Sequence, residues 1–87
     1  MTASYKLLVK RSAEKELTIV PKSILLKIVA KIRDFSVEPR PHGCESLAGS
    51  QKYYRIRQND YRIVYTVDDP KKEVPVMKIG HRGDVYR

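Results

Sequence analysis

Arg55, Arg57 and Arg62 lie close together in the chain, and His81, Arg82 and Tyr86 follow near its end. A guanidinium fork suits two-point contact with phosphate. Several such forks fixed around one phosphate stabilise the charge that develops when phosphorus becomes five-coordinate. An imidazole, with an ordinary pKa of ~6.5, moves protons at neutral pH. A tyrosine offers a stacking face and a hydroxyl. Together these parts match metal-independent RNA cleavage, in which the substrate's own 2′-OH attacks the adjacent phosphate; DNA has no such nucleophile. No serine, cysteine or aspartate is placed as an activated nucleophile beside a base. His42 and Cys44 are near neighbours, but two local donors do not make a zinc site, and neither metal nor cofactor is expected. The same residues also suit plain binding of nucleic acid or of an acidic protein. An arginine-rich strand face is also often no more than a solvated surface that discourages edge pairing. The residues by themselves leave these alternatives open.

Charge favours a polyanionic or acidic partner. The 87-residue chain carries 18 Lys and Arg against 10 Asp and Glu, a net charge of +8. Residues 1–50 and 51–87 each hold nine basic and five acidic residues, so the shorter C-terminal part is the denser, and it carries five of the eight arginines. The length is that of a single domain spanning 1–87. A hydrophobic content of 41% supplies one modest core, and 32% charged residues is too many for a membrane protein. No apolar run approaches the ~18–20 residues that span a bilayer; the most apolar stretch, Ile24 to Ile32, is interrupted by Lys27 and Lys31. The N-terminus lacks a secretory signal, and the single Cys44 excludes an internal disulfide and fits a reducing compartment. A cytoplasmic domain with no membrane association is expected.

The elements that must position these side chains are legible in the pattern. Tyr5 to Lys10 reads as a first strand. Ser12 reads as the cap of a short helix, with Glu14 and Glu16 favourable to its dipole. Pro21 suits the first position of a second helix, in which Leu25, Ile28, Val29, Ile32 and Phe35 form one apolar stripe. Glu38 to Gly49 breaks regular structure with prolines and glycines. Three strands follow: Tyr53 to Arg57, a three-residue loop Gln58–Asp60, Tyr61 to Val67, a five-residue turn Asp68–Lys72, and Glu73 to His81. Pro75 is expected at an edge or bulge. The class is α+β, a small antiparallel-rich sheet with two N-terminal helices packed on one face, in the order β-α-α-β-β-β. Strand alternation puts Ile56 and Ile63 under the helices and Arg55, Arg57 and Arg62 on the open face. With neighbouring strands ~4.8 Å apart, His81, Arg82 and Tyr86 are expected to converge on that surface.

Tyr54-Arg55-Ile56-Arg57, Asp60-Tyr61-Arg62-Ile63-Val64-Tyr65 and Ile79-Gly80-His81-Arg82, closing on Asp84-Val85-Tyr86, resemble the RelE family of bacterial and archaeal toxins. The loop Pro39 to Gly49 and the helix beginning Pro21-Lys22 are similar to the same family, so the resemblance covers nearly the whole chain. It implies the toxin of a type II toxin–antitoxin pair, an mRNA endoribonuclease acting in the ribosomal A site and leaving a 2′,3′-cyclic phosphate and a 5′-hydroxyl. Arg55 and Arg57 match basic residues around the attacking 2′-OH, Arg62 and Arg82 match phosphate-stabilising arginines, and Tyr86 matches a tyrosine that orients or stacks on substrate. Lys52, Arg40 and Arg87 are expected to contact RNA. The best-known member has lysines where this chain has Arg55 and Arg57. Guanidinium, with a pKa above ~12, is a poor base, so proton transfer is assigned to His81. The implied partners are mRNA, the ribosome and a cognate antitoxin that covers the Tyr86 region, with any operator DNA bound through the antitoxin. The competing readings are a ParE-like toxin that inhibits DNA gyrase and an attenuated RNA-binding relative.

Overall fold

Side chains alternate along a strand, so each strand of this chain must split its residues between a buried face and an open one. The computed structural model, which describes residues 4–47 and 53–81, places the two sets. The elements are β1 (Lys6–Val9), α1 (Arg11–Leu17), α2 (Lys22–Asp34), β2 (Glu45–Ser46), β3 (Tyr53–Gln58), β4 (Tyr61–Thr66) and β5 (Glu73–His81). They form a five-stranded sheet in the order β1-β5-β4-β3-β2. β1 pairs with β5 in parallel and every other pairing is antiparallel. The fold is the expected α+β arrangement with one addition: the stretch read as wholly irregular, Glu38 to Gly49, contributes the two-residue edge strand β2.

Both helices lie on one face. Ala13, Val20, Ile28, Ile32 and Phe35 pack against Ile56, Ile63, Tyr65, Val74, Val76 and Ile79 of the sheet. Within the apolar stripe of α2, Ile28, Ile32 and Phe35 are buried and Leu25 and Val29 half-buried. Phe35 stacks on Tyr65 with ring centroids 4.1 Å apart, and Tyr65 on Tyr54 at 5.8 Å; stacked aromatic pairs add to stability beyond the area they bury. The Tyr65 hydroxyl donates to the Pro39 carbonyl at 2.8 Å, so this large ring is buried without an orphaned polar tip. Burial pushes its ionisation well above the ordinary phenol range.

Several local details differ from the sequence expectation. α1 begins at Arg11 with Lys10 as its N-cap and no side-chain capping bond, so Ser12 lies inside the helix. Pro21 is the N-cap of α2 and Lys22 its first residue. The β3–β4 connection has two residues, because Gln58 pairs with Tyr61. Asn59 takes φ +57°, a conformation asparagine tolerates better than most residues. The β4–β5 turn narrows to Asp69–Lys72, since Asp68 bridges Glu73. Pro75 lies in a central strand. It is tolerated because ladder pairing with β4 lapses between Tyr65↔Val76 and that bridge, just past a bulge at Val64/Tyr65.

β1 accompanies β5 only as far as Val9↔Val76. Beyond that point Glu16 of α1 takes over the exposed edge: one carboxylate oxygen accepts the Ile79 backbone N–H at 2.8 Å and the other meets Lys78 Nζ at 2.8 Å. Glu16→Ala leaves that N–H without its charged acceptor, and we expect a loss of about 1.5–3 kcal/mol in urea denaturation at neutral pH. Lys78→Met, which removes only the more exposed half of the ion pair, is expected to cost at most about 1 kcal/mol.

Candidate functional site

On the open face, Arg57 stands directly opposite Arg62 across the β3–β4 ladder, and Arg55 opposite Val64. Ile56 and Ile63, the intervening pair, point the other way into the core. The hydrophobic requirement of one face thus forces the cationic residues onto the other. Arg55, Arg57 and Arg62 line one pocket of about 250 Å³ with Glu45 and Gly43. Arg55 Nε donates to Glu45 Oε1 at 3.2 Å, across the short β2–β3 pairing that sets Glu45 opposite Arg55. Arg57 Nε donates to the Asn59 carbonyl at 3.0 Å, tying its guanidinium to the hairpin loop. Arg62 is half-buried. Gly43 admits the chain to the pocket rim at φ +96°; open space surrounds the place a Cβ would take, so the backbone angle and not crowding calls for glycine.

Like charges directly opposite in a ladder destabilise it. Three guanidiniums and one carboxylate around a single pocket make a site whose electrostatics improve when an anion enters. Arginine forks are the donors best matched to phosphate oxygens. Chemically the pocket can hold a phosphodiester and stabilise added negative charge on it.

Not every expected residue joins this group. His81 is paired with Tyr61, and its ring meets the Tyr61 ring edge-on at 5.2 Å between centroids. Register places it on the Tyr61–Ile63 face, whereas Gly80 is the residue opposite Arg62. The expected convergence of imidazole and guanidiniums is therefore corrected: the odd–even alternation of β5 turns His81 to the other side of the sheet. Arg40 is likewise elsewhere. It lies over the Tyr54 ring at 5.3 Å, donates through Nε to the Tyr54 hydroxyl at 3.0 Å, and pairs through Nη2 with Asp69 at 2.7 Å. Lys52, Arg82, Tyr86 and Arg87 lie outside the described residues. Glu45, missed in the sequence, is the one carboxylate among the described residues that line the pocket. Its signal was faint, since a lone glutamate in a proline- and glycine-broken loop gives no hint of strand pairing. Among the described residues no three His, Cys, Asp or Glu side chains gather as a metal-binding group.

The class of protein is defined by this fold and by comparison. Residues 7–86 match the family described as the ParE toxin of the type II toxin–antitoxin system parDE, and the chain belongs to that family, within the RelE/ParE superfamily of type II toxins. Among relatives, Toxin RelG of Mycobacterium tuberculosis is 32% identical over 80 residues, covering 87% of this chain and 88% of that protein. The toxin in an archaeal RelE–RelB complex from Pyrococcus horikoshii superposes with a TM-score of 0.82 at 26% identity, covering 92% of this chain and 97% of that one. The isolated RelE toxin of E. coli superposes with a TM-score of 0.79 at 29% identity, covering 95% and 92%.

The Arg40 cluster generates a pH prediction. Asp69 also accepts from the Tyr5 hydroxyl at 2.6 Å. The hydrogen bond from Arg40, then that from Tyr5, hold its carboxyl at about 2, below the ordinary 3.8. A depressed carboxyl contributes stability above its unfolded value and loses it as pH falls through the folded one. The melting-temperature gap between wild type and Asp69→Asn should therefore be open above pH ~4 and close towards pH ~2.

Proposed function

We propose that the protein is a metal-independent mRNA endoribonuclease that cleaves ribosome-bound mRNA in the A site and is neutralised by a cognate antitoxin. The observation that carries this reading is the opposition of Arg57 and Arg62 within a pocket shared with Arg55. A surface whose task is protein contact has no need to place three guanidiniums around one cavity, whereas phosphoryl chemistry does. The family resemblance gives the same assignment, with Arg82 and Tyr86 as further contributors; Lys52, Arg40 and Arg87 are proposed beside them as RNA contacts.

In this mechanism Arg57 and Arg62 grip the non-bridging oxygens of the scissile phosphate. The neighbouring 2′-OH loses its proton to a base and attacks phosphorus. The new O2′–P bond forms as the P–O5′ bond breaks, leaving a 2′,3′-cyclic phosphate and a 5′-hydroxyl whose proton comes from water. Forks fixed by hydrogen bonds such as Arg57 to the Asn59 carbonyl need little reorganisation when the extra charge appears, which is where their advantage over water lies. Tyr86 would orient or stack the substrate. The antitoxin reading is supported by the relatives solved as RelE–RelB complexes. In this reading an acidic, amphipathic segment covers the basic toxin, and operator DNA is contacted through the antitoxin.

The ParE description of the matching family favours a second reading, inhibition of DNA gyrase through protein contact. Mapping mRNA ends after induction separates the two. The ribonuclease reading expects new 5′-hydroxyl ends in translated codons, and a fall of about 10²–10³-fold in cleavage rate for Arg62→Ala. Gyrase inhibition without RNA cleavage would sink it.

A further inference from the structure

We propose that a second cavity, between the start of β3 and the β4–β5 turn, is a base-binding subsite that holds a nucleotide flanking the scissile phosphate against the Tyr53 ring. The inference rests on the ribonuclease reading and carries its substrate contacts beyond the arginines. Tyr53, Arg55 and Arg57 alternate with Tyr54 and Ile56 along β3, so all three stand on the open face. Tyr53 pairs with Thr66, Arg55 with Val64 and Arg57 with Arg62, so the three rungs lie in line. At ~3.3 Å per residue, Tyr53 lies about 13 Å along the strand from Arg57. Two nucleotides of an extended single strand bridge that span.

The cavity, of about 360 Å³, is lined by Tyr53, Thr66, Val67, Asp68, Asp69 and Pro70. Its walls differ in kind from those of the arginine pocket, for no Lys or Arg lines it among the described residues. Two carboxylates repel a phosphate, so the part of a nucleotide that fits is the base. Tyr53 is 37% exposed and, with Val67 and Pro70, supplies aromatic and apolar surface to a flat ring. Stacking on tyrosine tolerates any base, since each has a π-face. Selectivity comes from the turn. Asp69 is engaged by Arg40 and by the Tyr5 hydroxyl. Asp68 Oδ1 accepts the Lys71 N–H at 3.1 Å, which fixes that side chain within the turn and leaves its second oxygen to accept from a base edge. Adenine, cytosine and guanine offer an exocyclic amine to such an acceptor, whereas uracil carries carbonyl oxygens in its place and is disfavoured. A cationic side chain of a protein partner is the other occupant an aromatic and acidic cavity could take. The alignment of Tyr53 with Arg55 and Arg57 on one face favours the nucleotide.

The assay is single-turnover cleavage of ribosome-bound mRNA, with the half-saturating protein concentration and the maximal rate read separately. The messages are made abasic one position at a time around the cleavage site. For wild type we expect an abasic site at one flanking position to raise the half-saturating concentration about tenfold, with the maximal rate within threefold. Tyr53→Leu keeps apolar bulk and loses the flat ring. It should raise the half-saturating concentration by a similar factor on intact message and add nothing at that abasic position, while Tyr53→Phe should match wild type. Asp68→Asn keeps an oxygen for the Lys71 N–H and replaces the other with an amide donor, so the penalty for uracil at that position should vanish. A Tyr53→Leu variant that saturates within twofold of wild type, or whose loss adds to the abasic penalty at every position, overturns the subsite and leaves the ribonuclease reading intact. So does a Tyr53→Leu variant that loses antitoxin binding alone, which would assign the cavity to a protein. No cleavage by wild type overturns both.

Discussion

The structure turns on a conflict between two faces of one hairpin. Ile56 and Ile63 face each other beneath α2, and the next rung of the same ladder sets Arg57 against Arg62. A strand has a period of two, so neither pair can be moved without moving the other. A slip of one residue would drive guanidiniums into the core and isoleucines into water. The burial of the apolar set is what holds the cationic set together, against its own repulsion. The charge cluster therefore owes its geometry to hydrophobic packing several ångströms behind it.

That packing extends through the aromatic stack. Phe35, Tyr65 and Tyr54 run from the C-terminal cap of α2 across β4 to β3, and Arg40 continues the series by lying over Tyr54. Arg40 then joins Asp69 of the β4–β5 turn, which also receives the Tyr5 hydroxyl just ahead of β1. One carboxylate thus ties together the entry to β1, the β4–β5 turn and the loop leading to β2. Arg40 therefore has a part in the scaffold as well, because an aromatic face and a carboxylate are close enough to engage it.

The legibility of the sequence follows the range of the forces involved. Strands β1, β3, β4 and β5 and both helices were readable, since periodicity and turn residues are local signals. The segregation of Ile56 and Ile63 from Arg55, Arg57 and Arg62 was readable for the same reason. β2 was not: two residues carry no period, and their pairing to β3 is decided by tertiary contact. With β2 went Glu45, whose relation to Arg55 exists only once that edge forms. His81 was misplaced because its side depends on register across β4, counted past the bulge at Val64/Tyr65, which no residue announces. The two-residue hairpin at Asn59–Asp60 was read one residue too long, a difference that leaves the alternation of β3 unchanged.

The carboxylate of Glu16 has a bearing on how a foreign chain could attach. Extended peptides commonly join a sheet by borrowing unpaired backbone donors and acceptors along its rim. The stretch of β5 past Val76 would offer such a template, but α1 lies beside it and Glu16 occupies the Ile79 donor. Strand-like recognition is thereby deflected to the outer margins formed by β1 and β2, the latter of which carries the glutamate of the arginine cavity.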